Sequence, residues 1–206
     1  MKIFDFNIHL PLKTSRNNVD SAILNERSLT PRQLLESFRN YLTQITANCD
    51  KANLMIFNEK ILNLPEIENA IEKIKTNLQA YFTFLINFRS KEAFNYIDKI
   101  KNIKGGAIKF HSYVQHIGEQ DFSSILKLCK YAEEKNLIIC IDASYGTFKM
   151  YDYDNLKLAA IIIEHIKKTP IILLHSGGKR ILEAFLLAES GSNIYLETSF
   201  TLNSYI

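Results

Sequence analysis

Five apolar, strand-like runs in this chain each lead into a side chain able to bind a metal or move a proton. Lys2–Phe6 runs into Asn7 and His9, and Gly105–Ile108 runs into Lys109 and His111. Leu137–Ile141 ends at Asp142, Pro170–Leu174 at His175, and Asn193–Leu196 at Glu197. In a sheet of parallel strands all carboxyl ends lie along one rim, so residues far apart in sequence meet at one site. Imidazole and carboxylate groups together are the ligand set for zinc or a similar divalent ion that keeps an open, water-bearing position. Asn7 and His9 are two residues apart, as are Lys109 and His111. Strand alternation puts each pair on one side of the sheet.

The elements that must position these residues are clearest in the second half. The run Ala107–His111 reads as a strand and is followed by a helical pattern over Asp121–Lys135. There Phe122, Ile125, Leu126, Leu128, Cys129 and Ala132 form one apolar stripe, with Asp121 as the expected N-cap. Leu137–Ile141 is wholly apolar, as a strand buried on both faces should be. Helix Asn155–Lys168, strand Ile171–Leu174, helix Lys179–Glu189 and strand Ile194–Glu197 complete the alternation. In the first half, strands are expected at Lys2–Phe6, Asn53–Phe57 and Ala80–Phe88. Helices are expected from Thr30 to about Asn48, over Glu66–Leu78 and over Lys91–Lys101. Strands alternating with helices mean crossover units and a parallel sheet, here as one domain over residues 1–206.

Composition sets the surroundings. The chain has 206 residues, 47% hydrophobic and 23% charged, with a net charge of +3. That is ordinary for a globular domain. The lysines cluster at predicted helix ends, where they complement the helix dipole. With no arginine-rich strip, a nucleic-acid partner is not expected. Cys49, Cys129 and Cys140 have no CxxC spacing, which fits a reducing compartment. No apolar stretch approaches the ~20 residues of a membrane span, and Asp5 interrupts any leader-like run. The expectation is a cytoplasmic protein acting on a small molecule, away from membranes. A homo-oligomer, most simply a symmetric dimer, is compatible with the sequence.

Four segments in order carry a resemblance to the amidohydrolase superfamily, in its branch of metal-dependent hydrolases and decarboxylases. Asp5-Phe6-Asn7-Ile8-His9 is similar to the family's Asp-x-His-x-His after strand one. Gly106-Ala107-Ile108-Lys109-Phe110-His111 resembles its strand-four segment, and His175-Ser176-Gly177-Gly178 its strand-six signature. Asn193–Ser199 is similar to the strand-seven segment. The departures are Asn7 in place of the first histidine and Asp142 in place of the strand-five histidine. The strand-eight aspartate has no counterpart before Ile206.

The resemblance implies a (β/α)₈ TIM-barrel fold with seven strands in this chain, expected to be an incomplete barrel whose eighth strand lies elsewhere. It implies a divalent metal, zinc first, held by His9, Asp142 and His175. His175 and Lys109 would be catalytic, and His111 and Glu197 would contact substrate, with Lys109 facing either an anionic substrate or Glu197. The expected activity is hydrolysis, or metal-assisted decarboxylation, of a small polar or carboxylated molecule. The alternative is a barrel that has lost its metal and serves as a binding or regulatory module. Bland readings stand beside these: a backbone-bonded His9, a loop-capping Asp142, a packing His111, and solvated His116 and His165. The polar segment Pro11–Leu29, with Lys13, Arg16 and Arg27, is expected to cover the strand ends as a lid.

Overall fold

A computed structural model describes residues 4–9, 30, 32, 35–36, 50–76, 79–145 and 148–199, and for residues 4–7 and 149 the backbone alone. The segment expected to form a lid, most of the helix after Thr30, and Cys49 lie outside the described residues.

Seven strands form one parallel sheet in sequence order: β1 Phe4–His9, β2 Lys51–Ile56, β3 Gln79–Leu85, β4 Gly106–His111, β5 Ile138–Asp142, β6 Ile171–Leu174 and β7 Ile194–Leu196. The helices in the crossovers are α1 Ile67–Lys75, α2 Ala93–Lys101, the short α3 Ser112–Gln115, α4 Phe122–Glu134, α5 Asn155–His165 and α6 Ile181–Glu189. The sheet curls in the manner of a TIM barrel. Among the described residues, β1 and β7 are its two edge strands. None of the described helices is long and apolar enough to cross a membrane.

Strand alternation sorts the core into two layers. Ile108 and Phe110 of β4, Ile139 and Ile141 of β5, and Ile171 and Leu173 of β6 face the helices and form the larger core. They meet Ile125, Leu128, Cys129 and Ala132 of α4, and Leu158, Ala159 and Ile162 of α5. Burying each of these aliphatic side chains contributes roughly 1.5–3 kcal/mol. Met55, Phe57, Leu85, Ala107, Cys140, Ile172 and Leu174 form a separate cluster on the other face, inside the curl. That inner layer also carries buried polar groups, and Thr83 Oγ1 donates to Asn53 Oδ1 at 2.9 Å.

Helix ends depart from expectation for local reasons. Asp121 makes no side-chain cap on α4. Its carboxylate instead accepts from the Gly118 N–H at 3.0 Å and pairs with Arg89 at 2.7 Å. Asp154 caps α5 by accepting from Lys157 N, and α5 stops at His165, short of the Lys168 expected from sequence. Ile166 there is extended and fully buried, so the chain leaves the helix to pack its side chain.

Candidate active site

The inner ends of β4, β5 and β6 meet at a single carboxylate. Asp142 closes β5, opposite His111 in the β4–β5 register. Its Oδ1 accepts from the backbone N–H of Ser144 at 3.2 Å and from Ser144 Oγ at 2.6 Å. Ser144 is held in turn by Asn155, whose Nδ2 donates to the Ser144 carbonyl at 2.9 Å. The carboxylate is thereby aimed, leaving Oδ2 for the interior. Three groups reach that oxygen: Lys109 Nζ at 3.2 Å, His111 Nε2 at 3.3 Å and His175 Nε2 at 3.4 Å. The Lys109 and Asp142 side chains are each 1% exposed. A buried ion pair of this kind persists only where its remaining hydrogen-bonding capacity is met. Lys109 meets that condition with a contact to Met55 Sδ at 3.6 Å and a position 4.9 Å from the Phe57 ring centre.

The three histidines fall into two states. Nδ1 of His111 accepts from the Val114 N–H at 3.5 Å, where it caps α3, so Nε2 carries the proton that faces Asp142. Burial holds its pKa down at about 4 against the pull of Asp142, and the imidazole is neutral. His9, half-buried at the end of β1, stacks obliquely on Phe57 with ring centres 4.8 Å apart. Burial first, and the Lys109 charge second, lower its pKa to about 3. His175 goes the other way. Burial pulls it down, but the hydrogen bond and charge of Asp142 outweigh that, and its pKa is raised. Its Nδ1 faces the Ser199 carbonyl at 3.0 Å while Nε2 faces Asp142, so both nitrogens have acceptors and the imidazolium is favoured. Burial opposes the charge on Asp142, yet His111, Lys109 and His175 together hold its pKa well below the usual carboxylate range. Ionisable neighbours with opposed shifts are a mark of acid–base sites.

His175 reaches this centre by an unusual backbone. Ile171 and Leu173 face the helices, so continued alternation would send residue 175 to that side as well. Instead His175 and Ser176 adopt φ of 60° and 43°, followed by Gly177 at 80° and Gly178 at 52°. This run of left-handed residues turns the imidazole inward. It is pinned by Lys179 N donating to the Tyr145 carbonyl at 3.1 Å and by Ser176 Oγ donating to the Glu197 carbonyl at 2.8 Å. A Cβ on Gly178 would lie 2.7 Å from the Tyr145 backbone nitrogen. Gly178→Ala is therefore expected to destabilise the fold by about 2–3 kcal/mol, from left-handed strain and backbone collision. A denaturant midpoint equal to the parent's would show that the turn is not pinned in this way.

Glu197 does not pair with Lys109, one of the two partners expected for that lysine. Its carboxylate accepts from His175 N at 3.1 Å and Ser199 N at 2.6 Å, holding the β6 turn beside the end of β7. Lys109 has Asp142 instead because the β4–β5 register brings those two side chains together. His116 stacks on Tyr153 and His165 bonds its own helix, both away from the cluster. Asn7 lies in β1, but its side chain is outside the description. Ser144, Phe57 and Met55 were not singled out by sequence. Only Asp142-Ala143-Ser144 carried a readable signal, since a side chain two residues after Asp can bond back to it.

Beyond Phe57 a cavity of about 520 Å³ opens along the ends of β2, β3 and β4, lined by Asn58, Glu59, Lys60, Asn87, Arg89 and Gln115 among others. Its size is that of a small-molecule site. The zinc expected on His9, Asp142 and His175 finds a poor fit. Among the described residues, no group of three or more His, Cys, Asp or Glu side chains is arranged to hold a metal. Two ring nitrogens aim at the Asp142 oxygen, and a lysine ammonium already sits against it.

The opposed shifts give a pH dependence of stability. Unfolded histidine titrates near ~6.5, whereas folded His9 and His111 do so at about 3 and about 4. Between those limits the unfolded chain binds more protons, so stability falls as pH drops from roughly 6.5 to 4. His175, with its raised pKa, opposes this: its contribution is complete below ~6.5 and is lost as pH rises through its folded value. Two lowered groups against one raised should leave the protein acid-labile by a few kcal/mol, at roughly 1.4 kcal/mol per unit of separation. Thermal melts at pH 7, 5.5 and 4 read this directly. His111→Asn should flatten the slope, and an unchanged slope would remove His111 from the account.

The parallel sheet, its crossover helices and a site at the carboxyl ends of the strands define a TIM-barrel protein. Across 96% of its length the chain is similar to an uncharacterised TIM-barrel protein from Bordetella bronchiseptica, at 13% identity and a TM-score of 0.65, over 75% of that chain. All of it aligns with 85% of a protein from Coccidioides immitis assigned as a deoxyribose-phosphate aldolase, at 11% identity and a TM-score of 0.50. A protein from Acinetobacter baumannii assigned as a 2-pyrone-4,6-dicarboxylic acid hydrolase aligns more loosely, with a TM-score of 0.43 at 11% identity, over 97% of this chain and 84% of that one. At these identities the likeness establishes the fold alone. No family's sequence model matches the chain, and no curated protein matches its sequence.

Proposed function

We propose that the chain is a hydrolase of a small carboxylated molecule, working by proton transfer at the inner ends of β4, β5 and β6. The observation that carries this reading is the convergence of Lys109, His111 and His175 on one buried oxygen of Asp142, at 3.2, 3.3 and 3.4 Å. Neutral His9 adds no charge beside a substrate carbonyl, while His111 gives its Nε2–H to Asp142 and holds that carboxylate in place. As water attacks the substrate carbonyl, His175, held as an imidazolium by Asp142 and the Ser199 carbonyl, gives a proton to the departing oxygen or nitrogen and takes one back from the attacking water. Lys109 and Asp142 set the field in which this happens. Lys60, which lines the adjoining cavity beside Glu59, offers an ammonium to a substrate carboxylate; Arg89, also in that lining, is taken up by Asp121 and two backbone carbonyls.

The test is turnover of a panel of small carboxylated esters, lactones and amides by chelator-treated protein. The reading requires activity that survives chelation. Activity lost on chelation and restored by zinc would favour the metal-dependent hydrolase, or decarboxylase, with zinc on His9, Asp142 and His175 after Lys109 has moved away from Asp142. A second reading, the metal-free binding module, draws on the depth of the ion pair, since side chains 1% exposed can serve the core alone. Binding of a small carboxylate without turnover of any panel member would favour it.

A further inference from the structure

We infer that Lys109 is the resident cation of this site, a positioning residue whose ammonium holds the Asp142 carboxylate and keeps divalent metal ions out. In a tetrahedral metal site with bonds of roughly 2.0–2.1 Å, neighbouring donor atoms stand about 3.3–3.4 Å apart. Asp142 Oδ2 stands at 3.3 Å from His111 Nε2 and at 3.4 Å from His175 Nε2, so two separations have ligand-like length. What differs from a metal centre is the position of the positive charge. Lys109 Nζ is 3.2 Å from the same oxygen, with its side chain 1% exposed. The Phe57 ring and Met55 Sδ also stand against it.

A divalent ion placed on Asp142 Oδ2 would share a water-poor space with that ammonium, where like charges repel strongly. Lysine cannot act as a ligand while protonated, because all its polar capacity is donor. The ammonium therefore does two things a metal would do: it neutralises the buried carboxylate and fixes which oxygen faces the histidines. It does neither of the things that require an open coordination position. The imidazoles of His111 and His175 are consequently hydrogen-bond partners of a carboxylate rather than ligands. The hydroxyl and N–H of Ser144 on Oδ1 complete the arrangement by preventing the carboxylate from rotating.

The inference rests on the proposed reaction for its functional meaning, but its readout is metal binding, so the two can fail separately. Chelator-treated parent, Lys109→Met and Lys109→Arg proteins would be titrated with Co²⁺, following the visible absorption of the bound ion. Parent and Lys109→Arg should show no protein-dependent bands. Lys109→Met should bind about one Co²⁺ at least tenfold more tightly than the parent, and the added Asp142→Asn change should abolish the gain. Lys109→Gln serves the same purpose should the methionine variant fail to fold, with near-ultraviolet circular dichroism as the check on folding. Parent protein that binds Co²⁺ as tightly as Lys109→Met would overturn the inference. So would folded Lys109→Met and Lys109→Gln proteins that gain no affinity.

Discussion

Asp142→Ala is expected to cost about 3–5 kcal/mol of stability, among the largest single effects in the molecule. Removing one partner of a buried pair leaves the other charge without compensation, and that penalty far exceeds the net worth of the pair. Here the orphan would be the Lys109 ammonium, 1% exposed, with the Met55 sulfur and the Phe57 ring beside it. Ser144 would also lose the acceptor for its hydroxyl and backbone N–H. The double change Lys109→Met with Asp142→Leu should recover most of the loss, since replacing both charges by apolar groups is often near neutral. Urea denaturation of the single and double variants gives the comparison. A double variant no more stable than Asp142→Ala would mean that packing, not charge, sets the cost.

His175→Ala should lower turnover by about 10²–10⁴-fold, the usual span for a positioned acid–base group, while changing stability far less than Asp142→Ala. The imidazole lies at the strand end with its side chain 14% exposed, so little apolar packing is lost. The left-handed backbone at position 175 persists in the variant, because Gly177, Gly178 and the Lys179–Tyr145 hydrogen bond define the turn. His175→Gln, able to donate one hydrogen bond but not to carry a proton, separates orientation from proton transfer. Its turnover should stay near that of the alanine variant, with KM close to the parent's. Alanine and parent proteins of equal turnover would end the assigned role.

Much of the fold was legible because its determinants are local. The apolar period of α4 and the isoleucine-rich runs of β5 and β6 follow from which faces are buried, and those patterns repeat over a few residues. Element ends were less legible. Asp121 looked like a cap, but the Gly118 N–H and Arg89 across the fold compete for its carboxylate. Ile166 ends α5 because tertiary burial prevails over helix continuation at that position.

The placement of Lys109, His111, Asp142 and His175 at strand ends is a property of the sequence alone, since each closes an apolar run whose direction a parallel sheet makes common. So is the shared side of Lys109 and His111, which follows from the two-residue period of a strand. Their partners are not. That Lys109 meets Asp142 rather than Glu197 depends on the register of β4 against β5, a pairing between segments some thirty residues apart. That His175 faces inward at all runs against strand alternation, and it depends on a left-handed turn held by Tyr145 and Glu197 from two other strand ends. A charge's partner in a low-dielectric interior is set by distances of a few ångströms across the sheet, and only the assembled tertiary structure specifies those distances.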